Sequence, residues 1–216
     1  MKVDPKKELG SYRVTRGAWR DLVVPPMRYL MVDGQGDPNT AAYAEALSVL
    51  YPVAYATKFA SKQQLGRDYV VPPLEALWWA DDMAAFTTRR DKSAWHWTAM
   101  ILVPDWVPAE LVDAARDTAA AKVPAALLER LRLETLEEGR CLQRLHVGSY
   151  DDEGPLLAEL HDVEVPARGL SLTGRHHEIY LSDARRVEPS KLRTILRQPV
   201  VSTQPVQAAS GEPPSL

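Results

Sequence analysis

Apolar and polar positions in the first third of the chain predict a strand followed by a helix. Residues 27–33 form a short apolar run that ends at a Gly-Gln-Gly segment, which predicts a strand and a tight turn. Apolar residues then recur every three or four positions over residues 43–54, which predicts one buried helix face. Asp37 is suited to cap this helix with Pro38 at its first position, and Pro52 should kink or end it.

The order of predicted elements then continues and returns in the second half. Strand patterns at residues 74–79 and 95–103 complete a first module over residues 25–105. An Ala-rich helix over residues 111–122 is expected to link it to a second module over residues 131–183. The elements of the second module are predicted strands at residues 131–135 and 140–147, a helix from residue 151, and strands at residues 169–173 and 176–181.

These elements predict an α+β fold over residues 25–200. It consists of two pseudo-symmetric strand–helix–strand–strand modules with antiparallel sheets. Three stretches lie outside the modules: residues 1–24 are expected to be an extended lead-in, residues 191–197 a short amphipathic piece, and residues 201–216 a disordered tail.

Composition and charge exclude several classes of function. The 216 residues carry a net charge of −3, and the pairs Arg89-Arg90 and Arg185-Arg186 are too short for a nucleic-acid surface, so no nucleic-acid partner is expected. No stretch approaches the ~20 apolar residues of a membrane span, and no apolar run follows the charged residues 1–8, so neither a membrane span nor a signal peptide is expected. Cys141 is the single cysteine, so an internal disulfide is excluded and a reducing cytoplasm is expected. Six Trp and eight Tyr against two Phe favour a ligand pocket.

Several familiar catalytic and cofactor motifs are incomplete. Asn39 stands where a dinucleotide-binding motif has its third glycine, so residues 34–36 are interpreted as a turn. His176 and His177 point to opposite faces of a strand, and the histidine spacing predicts neither a metal site nor a cofactor. No G-x-S-x-G segment occurs, and Cys141 is predicted to be buried in a strand rather than nucleophilic.

Glu178 is the leading candidate for a functional carboxylate. Strand alternation places it on the face of His176 and Tyr180, away from Ile179 and Leu181. A carboxylate on such a face needs water, a partner or a ligand, and one among aromatics can hold a flat cationic or polarised molecule. The alternative is an ordinary solvent-exposed glutamate.

Further candidates come from neighbouring predicted strands. Glu75 occupies a comparable place in the first module and is the second choice for a pocket acid, with Trp79 on its own face. Trp95 and Trp97 alternate with His96, so both indoles are expected on one sheet face, where they and Trp79 would contact the ligand.

Three separated segments resemble the signatures of the GyrI-like small-molecule-binding family, in the same order. They are VPPLE and LWW at residues 71–79, LHVGSYDDEGP at residues 145–155, and RHHEIYLSD with KLRTILRQPV at residues 175–200. Ala76 stands where the family pattern has glycine, which would tighten the groove wall.

This resemblance implies two modules related by a pseudo-twofold axis, with antiparallel sheets flanking a ligand groove. Some relatives are effector domains of multidrug-responsive regulators, and others resemble hydrolases that open the strained ring of cyclopropane-bearing DNA-alkylating compounds. No helix-turn-helix pattern precedes residue 25, which favours the free-standing hydrolase group. The expected partner is therefore a hydrophobic aromatic small molecule.

Within this resemblance, Glu178 is the expected general base, because burial among aromatics would raise its pKa toward neutrality. Tyr150 or Tyr180 is expected to donate a hydrogen bond to the substrate carbonyl. His146 and His176, which lie in the matching segments, are expected to contact the ligand. The alternatives are a non-catalytic protein that sequesters lipophilic cations or dyes and an inhibitor of DNA gyrase, and only the family name supports the second.

Overall fold

Most of the apolar runs in the chain become strands of one antiparallel sheet. The computed structural model describes residues 2–14, 16–82, 85–86, 89 and 91–203. Its strands are β1 (Lys2–Val3), β2 (Arg20–Val24), β3 (Met27–Gln35), β4 (Asp68–Tyr69), β5 (Leu74–Trp79), β6 (His96–Val103), β7 (Arg132–Leu136), β8 (Gly139–Val147), β9 (Leu170–Leu172), β10 (His176–Tyr180) and β11 (Arg193–Ser202). Its helices are α1 (Pro5–Glu8), α2 (Ala41–Gln64), α3 (Ala109–Ala119), α4 (Ala125–Leu128), α5 (Gly154–Glu159) and α6 (Val165–Ala167), and a π-helical turn, Leu160–Glu164, joins the last two.

The strand order of the main sheet is symmetric. It runs β2-β8-β11-β10-β5-β6-β3-β7, so each strand of the first half mirrors a strand of the second half about the β10–β5 pair. All these neighbours pair antiparallel, and the short β9 adds to the end of β11. The predicted α+β class with antiparallel strands is confirmed, and the two modules share a single open sheet.

The outer strands are exchanged between the halves. β2 precedes β3 in the chain but pairs with β8, whereas β7 precedes β8 but pairs with β3. Residues 1–24 were expected to be a plain extended lead-in, yet they supply β2, α1 and a 3₁₀ turn at Gly10–Tyr12. Residues 191–197 were expected to be an amphipathic piece, yet they enter β11 in the middle of the sheet. The apolar–polar alternation of a strand is not visible in this segment, because its buried positions include the charged Arg197.

The main helix differs from its prediction at both ends. It begins at Ala41, and Asp37 instead accepts a hydrogen bond from the backbone N–H of Asn39 in the preceding turn. The helix also continues for twelve residues beyond Pro52, to Gln64. Fully buried residues on either side, including Leu50 and Thr57, pack against the structure and offset the missing proline donor.

The sheet has two differently covered faces. α2 packs on the first-half face, where its buried residues meet those of β3, β5 and β6. The helical segment of α5 and α6 covers the same face of the second half, around Leu142 and Leu196. The opposite face is covered by the N-terminal residues around Tyr12.

Two further features concern the chain as a whole. No helix among the described residues is long and apolar enough to cross a membrane. The predicted tail lies outside the described residues from position 204 onward, while Val201 and Ser202 belong to β11.

Candidate functional site

The candidate site is built on β10, where the two halves meet. Alternation along this strand places His176, Glu178 and Tyr180 on the helix-covered face and His177 and Ile179 on the face covered by the N-terminal residues. The helix-covered side is therefore where β10 can present polar groups between α2 and the second-half helix.

Five side chains meet on this side of β10 and β5, and we call the region between them the groove: Tyr43 of α2, Trp78, Tyr150, Glu178 and Tyr180. The side chain of Glu178 is 13% exposed, so its carboxylate is largely removed from water. Across the β5 pairing it lies opposite Ala76, which is fully buried.

Hydrogen bonds connect the carboxylate to the aromatic wall. The Tyr180 hydroxyl donates to Oε2 of Glu178 at 2.8 Å, and Nε1 of Trp78 donates to the Tyr180 hydroxyl at 3.1 Å. Nε2 of His176 lies 3.7 Å from Oε1 of Glu178. Burial lowers the pKa of His176 to about 3, so its imidazole is neutral and this contact is not an ion pair.

Burial also sets the proton affinity of the site. It raises the pKa of Glu178 to about 7, although the hydrogen bond from Tyr180 opposes the increase. The pKa of Tyr180 lies well above its ordinary value because of burial and the adjacent Glu178, so this tyrosine stays protonated. The site thus presents a carboxylate that exchanges a proton near neutral pH beside a permanent hydroxyl donor.

A second carboxyl group lies beside Glu178. Glu153 is only 4% exposed and contacts Glu178 from the segment that opens α5. Burial and the neighbouring Glu178 raise its pKa well above the ordinary value. Two adjacent carboxyl groups of this kind retain a proton between them at neutral pH.

Aromatic rings enclose the carboxyl groups. The Tyr43 ring stacks on Trp78 with centroids 5.9 Å apart, and the Tyr150 ring meets Tyr180 edge-on at 5.5 Å. Trp95 packs edge-on against Trp78 at 5.8 Å. Tyr150 is 39% exposed and lies at the mouth of the groove, so the arrangement suits a flat ligand inserted between rings.

Two of the predicted tryptophans lie elsewhere. Trp97 is on the predicted face but has no exposed surface, because it is buried beneath Tyr43 with ring centroids 4.9 Å apart. Trp79 lies on the opposite face of the sheet, where it stacks on His96 and under the guanidinium of Arg175. Neither indole lines the groove as expected, since one is core and strand alternation turns the other away.

Glu75 also lies outside the groove. Its carboxylate points to the opposite face, has no exposed surface, and accepts a hydrogen bond from Tyr12. Nε2 of His177 lies 2.9 Å from its Oε2, and Tyr29 contributes a longer contact of 3.4 Å. Glu75 pairs with Ile179 rather than Glu178, so a one-residue offset in register excludes it from the groove.

His146 plays a structural part next to the groove. Its ring is buried, and Nε2 lies 2.9 Å from the backbone carbonyl of Ser149. This contact fixes the turn that leads to Tyr150. The expected direct ligand contact by His146 is not supported by this geometry, because the ring nitrogen is already engaged with the backbone.

Sequence reasoning missed three residues of the site. Trp78 stood within a matching segment, but only the β5–β10 register shows that it shares the face of Glu178. Tyr43 was interpreted as part of a helix core, and Glu153 as one of three acids at a helix start. An inward-facing glutamate cannot be told from its exposed neighbours Asp151 and Asp152 without the fold.

Two surface cavities lie away from Glu178. One of about 310 Å³ is lined by Arg16, Arg144 and His146 among others, and one of about 290 Å³ by Glu138 and Arg175 among others. Trp78 is 6% exposed and the Glu178 side chain 13%, so a ligand that reaches the carboxylate has to displace aromatic side chains.

Comparison with known proteins identifies the family of the chain. The sequence pattern of the GyrI-like small molecule binding domain matches residues 22–201. The chain belongs to this family. No match was found among curated proteins. The resemblance drawn from the three segments is therefore confirmed.

Solved structures of GyrI-like relatives cover nearly the whole chain. An uncharacterized conserved protein from Listeria innocua is 40% identical with a TM-score of 0.83, and a hydrolase from the same organism is 37% identical with a TM-score of 0.78. Each alignment covers 93% of this chain and 100% of the relative. The C-terminal domain of EcmrR has a TM-score of 0.51 at 10% identity, with 85% of this chain and 98% of that chain covered, and shows the shared fold alone.

Proposed function

We propose that this GyrI-like protein binds a flat hydrophobic electrophile in the groove and adds water across its cyclopropane ring. The observation that carries the proposal is the buried Glu178 carboxylate, with a pKa of about 7, held by the Tyr180 hydroxyl among aromatic rings. A Listeria innocua relative with 37% identity is described as a hydrolase, which supports a hydrolytic role for this chain.

The chemistry proceeds as a nucleophilic addition. Glu178 accepts a proton from water as the water oxygen forms a bond to a cyclopropane carbon. The adjacent ring C–C bond breaks, and its electron pair passes through the conjugated dienone to the carbonyl oxygen. That oxygen then takes a proton, so the net reaction adds one water and yields a phenol with a hydroxyalkyl arm.

The two candidate tyrosines have different capacities in this reaction. Tyr180 already donates to Glu178 and accepts from Trp78, so its hydroxyl is committed to orienting the base. Tyr150 stands at the mouth of the groove with its ring partly exposed. We therefore assign to Tyr150 the hydrogen bond that stabilises negative charge on the carbonyl oxygen.

The aromatic walls provide binding and desolvation. A flat chromophore that inserts beside Tyr150 and Tyr43 would bury its faces against π surfaces and displace water from the carboxylate. Exclusion of water other than the reacting molecule keeps the pKa of Glu178 raised, which matches its basicity to neutral pH.

The test uses a spirocyclopropyl cyclohexadienone alkylator and the full chain. Wild-type protein is expected to convert it to a product heavier by one water molecule, observed by mass spectrometry over several turnovers. Glu178→Gln should lower kcat/KM by ~100-fold or more, since the amide retains size but is not a base. Glu188→Gln changes the same residue type on the surface and should retain full activity.

Two outcomes separate catalysis from simple binding. If wild-type protein binds the compound but yields no hydrated product, the proposed hydrolysis is wrong and a sequestering role remains. A sequestering protein that uses the Glu178 charge would bind lipophilic cations less tightly after Glu178→Gln while its affinity for neutral dyes persists.

A further inference from the structure

The segment that opens α5 turns one of its three acids inward. Asp151 and Asp152 are exposed, whereas Glu153 is almost fully buried. The backbone carbonyl of Glu153 accepts hydrogen bonds from the N–H groups of Leu156 and Leu157, both at 3.0 Å. The helix start therefore fixes the Cα of Glu153 with its side chain aimed at the groove floor.

The environment of this side chain specifies its protonation. Oε1 of Glu153 is buried and has no hydrogen-bond partner of ordinary geometry among the described residues, although the hydroxyl of Thr194 lies near the carboxyl group. A carboxylate oxygen left this way would be costly, whereas a protonated carboxyl group needs an acceptor there rather than a donor. The carboxylate of Glu178 lies beside it and supplies that acceptor.

The two carboxyl groups differ in the donors available to them. Oε2 of Glu178 receives the hydrogen bond of Tyr180 at 2.8 Å, which favours the ionised form of Glu178. The neighbouring donor of Glu153 is the Thr194 hydroxyl, which favours the ionised form less effectively because it makes no hydrogen bond of ordinary geometry. The single proton of the pair therefore belongs on Glu153, with Glu178 as the carboxylate.

We propose that Glu153 is a positioning residue that holds the proton of the pair and donates a hydrogen bond to the carboxylate of Glu178. The role of this bond in turnover rests on the proposed function of Glu178 as a base. The bond keeps Glu178 ionised despite its burial. It also fixes one side of the carboxylate, so that the remaining lone pairs face the groove.

Other titratable groups near Glu178 are less suited to share a proton with it. The titratable side chains that face it are Tyr43 of α2, Tyr150 and Glu153 of the segment before α5, His176 and Tyr180 of β10, and, through the sheet, His177. The tyrosines stay protonated to high pH, and His176 is neutral down to about pH 3. Glu153 is therefore the member whose proton is coupled to that of Glu178 near neutrality.

The test compares Glu153→Gln with Glu153→Ala in the absence of substrate. The Glu178 carboxyl carbon is followed by NMR through a pH titration of protein with ¹³C-labelled glutamate, assigned by the signal lost in Glu178→Gln. Gln retains an N–H donor, so the midpoint of Glu178 should stay close to the wild-type value. Ala removes the donor, and the midpoint should rise by ~1 pH unit or more.

The turnover profile supplies the second measurement. In Glu153→Ala the acid limb of kcat/KM against pH should move upward with the NMR midpoint, while Glu153→Gln should resemble wild type. An unshifted Glu178 midpoint in Glu153→Ala, or equal shifts in both variants, would overturn the proposal. Thermal unfolding at pH 7 verifies that each variant is folded before its titration is interpreted.

The NMR result stands apart from the question of activity. If wild-type protein shows no hydrolysis, the proposed function fails while the titration still decides the hydrogen bond between the two carboxyl groups. If hydrolysis is observed but the titration is insensitive to residue 153, this inference alone is wrong.

Discussion

Two glutamates on neighbouring strands show how an offset of one residue in the strand register decides the environment of a carboxylate. Glu178 lies opposite Ala76, and Glu75 lies opposite Ile179, so the two carboxylates point to opposite faces of the sheet. Glu75 accepts hydrogen bonds from Tyr12 and Tyr29 and lies 2.9 Å from Nε2 of His177, so its carboxylate is held by partners on the face away from the groove. Glu178 has fewer donors and a pKa near 7, which suits a group that gains and loses a proton.

The raised pKa of Glu178 predicts a conflict between function and stability. A carboxyl group with a folded-state pKa above its unfolded value stabilises the fold only at low pH, and this contribution is lost as pH rises through about 7. Glu178→Gln removes the buried charge and should increase the free energy of unfolding at pH 8 by on the order of 1–3 kcal/mol. The gain should be much smaller at pH 5.

Urea unfolding of wild type and Glu178→Gln at the two pH values checks this prediction. Glu188→Gln, an exposed position, serves as control and should change stability at neither pH. A less stable Glu178→Gln at pH 8 would show that the carboxylate is well solvated or paired, which contradicts the raised pKa.

At the scale of elements, the Trp97–Tyr43–Trp78 layer ties the first-half sheet to α2. Trp97 lies across Gly34 on the neighbouring strand β3, where an added Cβ would approach the indole to 2.1 Å. The sequence pattern predicts a strand over residues 27–33 and argues against a dinucleotide site, but it also predicts that Gly34 belongs to a turn. Its real role depends on the cross-strand contact with Trp97, which no local pattern contains.

The same contact predicts the effect of a single methyl group. Gly34→Ala should destabilise the protein by ~1–3 kcal/mol, because the indole of Trp97 has to leave its rotamer in a packed core. Gly10 has no atom within 4 Å of its added Cβ and lacks positive φ, so Gly10→Ala is the matched control and should be nearly neutral. Thermal unfolding and Trp fluorescence report the two effects, and an equally stable Gly34→Ala would contradict this packing.

At the scale of the whole molecule, a buried charge network joins the halves beneath the sheet. Arg197 of β11 donates to Glu138 at 2.8 Å and to the backbone carbonyl of Ser11 at 2.9 Å. Nδ1 of His177 lies 2.9 Å from Glu138, and its other nitrogen meets Glu75. The network therefore anchors the N-terminal residues to both modules.

The opposing charges of this network compensate the cost of burial. Burial alone would raise the pKa of Glu138, but His177 and Arg197 outweigh it and hold the value at about 2. Burial would lower the pKa of His177, yet Glu138 and Glu75 outweigh it and raise the value.

Acid unfolding should report on this network. Glu138 has a depressed pKa, so its stabilising contribution is present above the unfolded value of about 4.3 and is lost as pH falls toward 2. Glu138→Gln should therefore cost ~3–5 kcal/mol at pH 7, by leaving the buried cations without a carboxylate, and much less near pH 2.5. Glu134→Gln, an exposed strand position nearby, should change stability by less than ~1 kcal/mol. A loss for Glu138→Gln that does not depend on pH would contradict the charge argument.

The sequence predicted the class of fold and the equivalence of residues 27–33 with the strand at residues 140–147 in element order. It could not predict the exchange of β2 and β7, because each pairs with the half to which it is not adjacent in the chain. Buried polar residues such as Arg197 and Gln143 also broke the apolar pattern that identifies a central strand. Glu178 and Tyr180 were predictable because their alternation is local, whereas Trp78 and Glu153 reach the site only through tertiary contacts.

The most direct test of the proposed hydrolysis follows the oxygen atom of water. Wild-type protein is mixed in H₂¹⁸O with a limiting amount of a spirocyclopropyl cyclohexadienone. The masses of both the product and the protein are then measured by mass spectrometry. We expect a ring-opened product that carries one ¹⁸O atom, unmodified protein, and formation of this product slowed by ~100-fold or more in Glu178→Gln. A covalent adduct on the protein, or an ¹⁸O-labelled product formed at the wild-type rate by Glu178→Gln, would contradict general-base hydrolysis by Glu178.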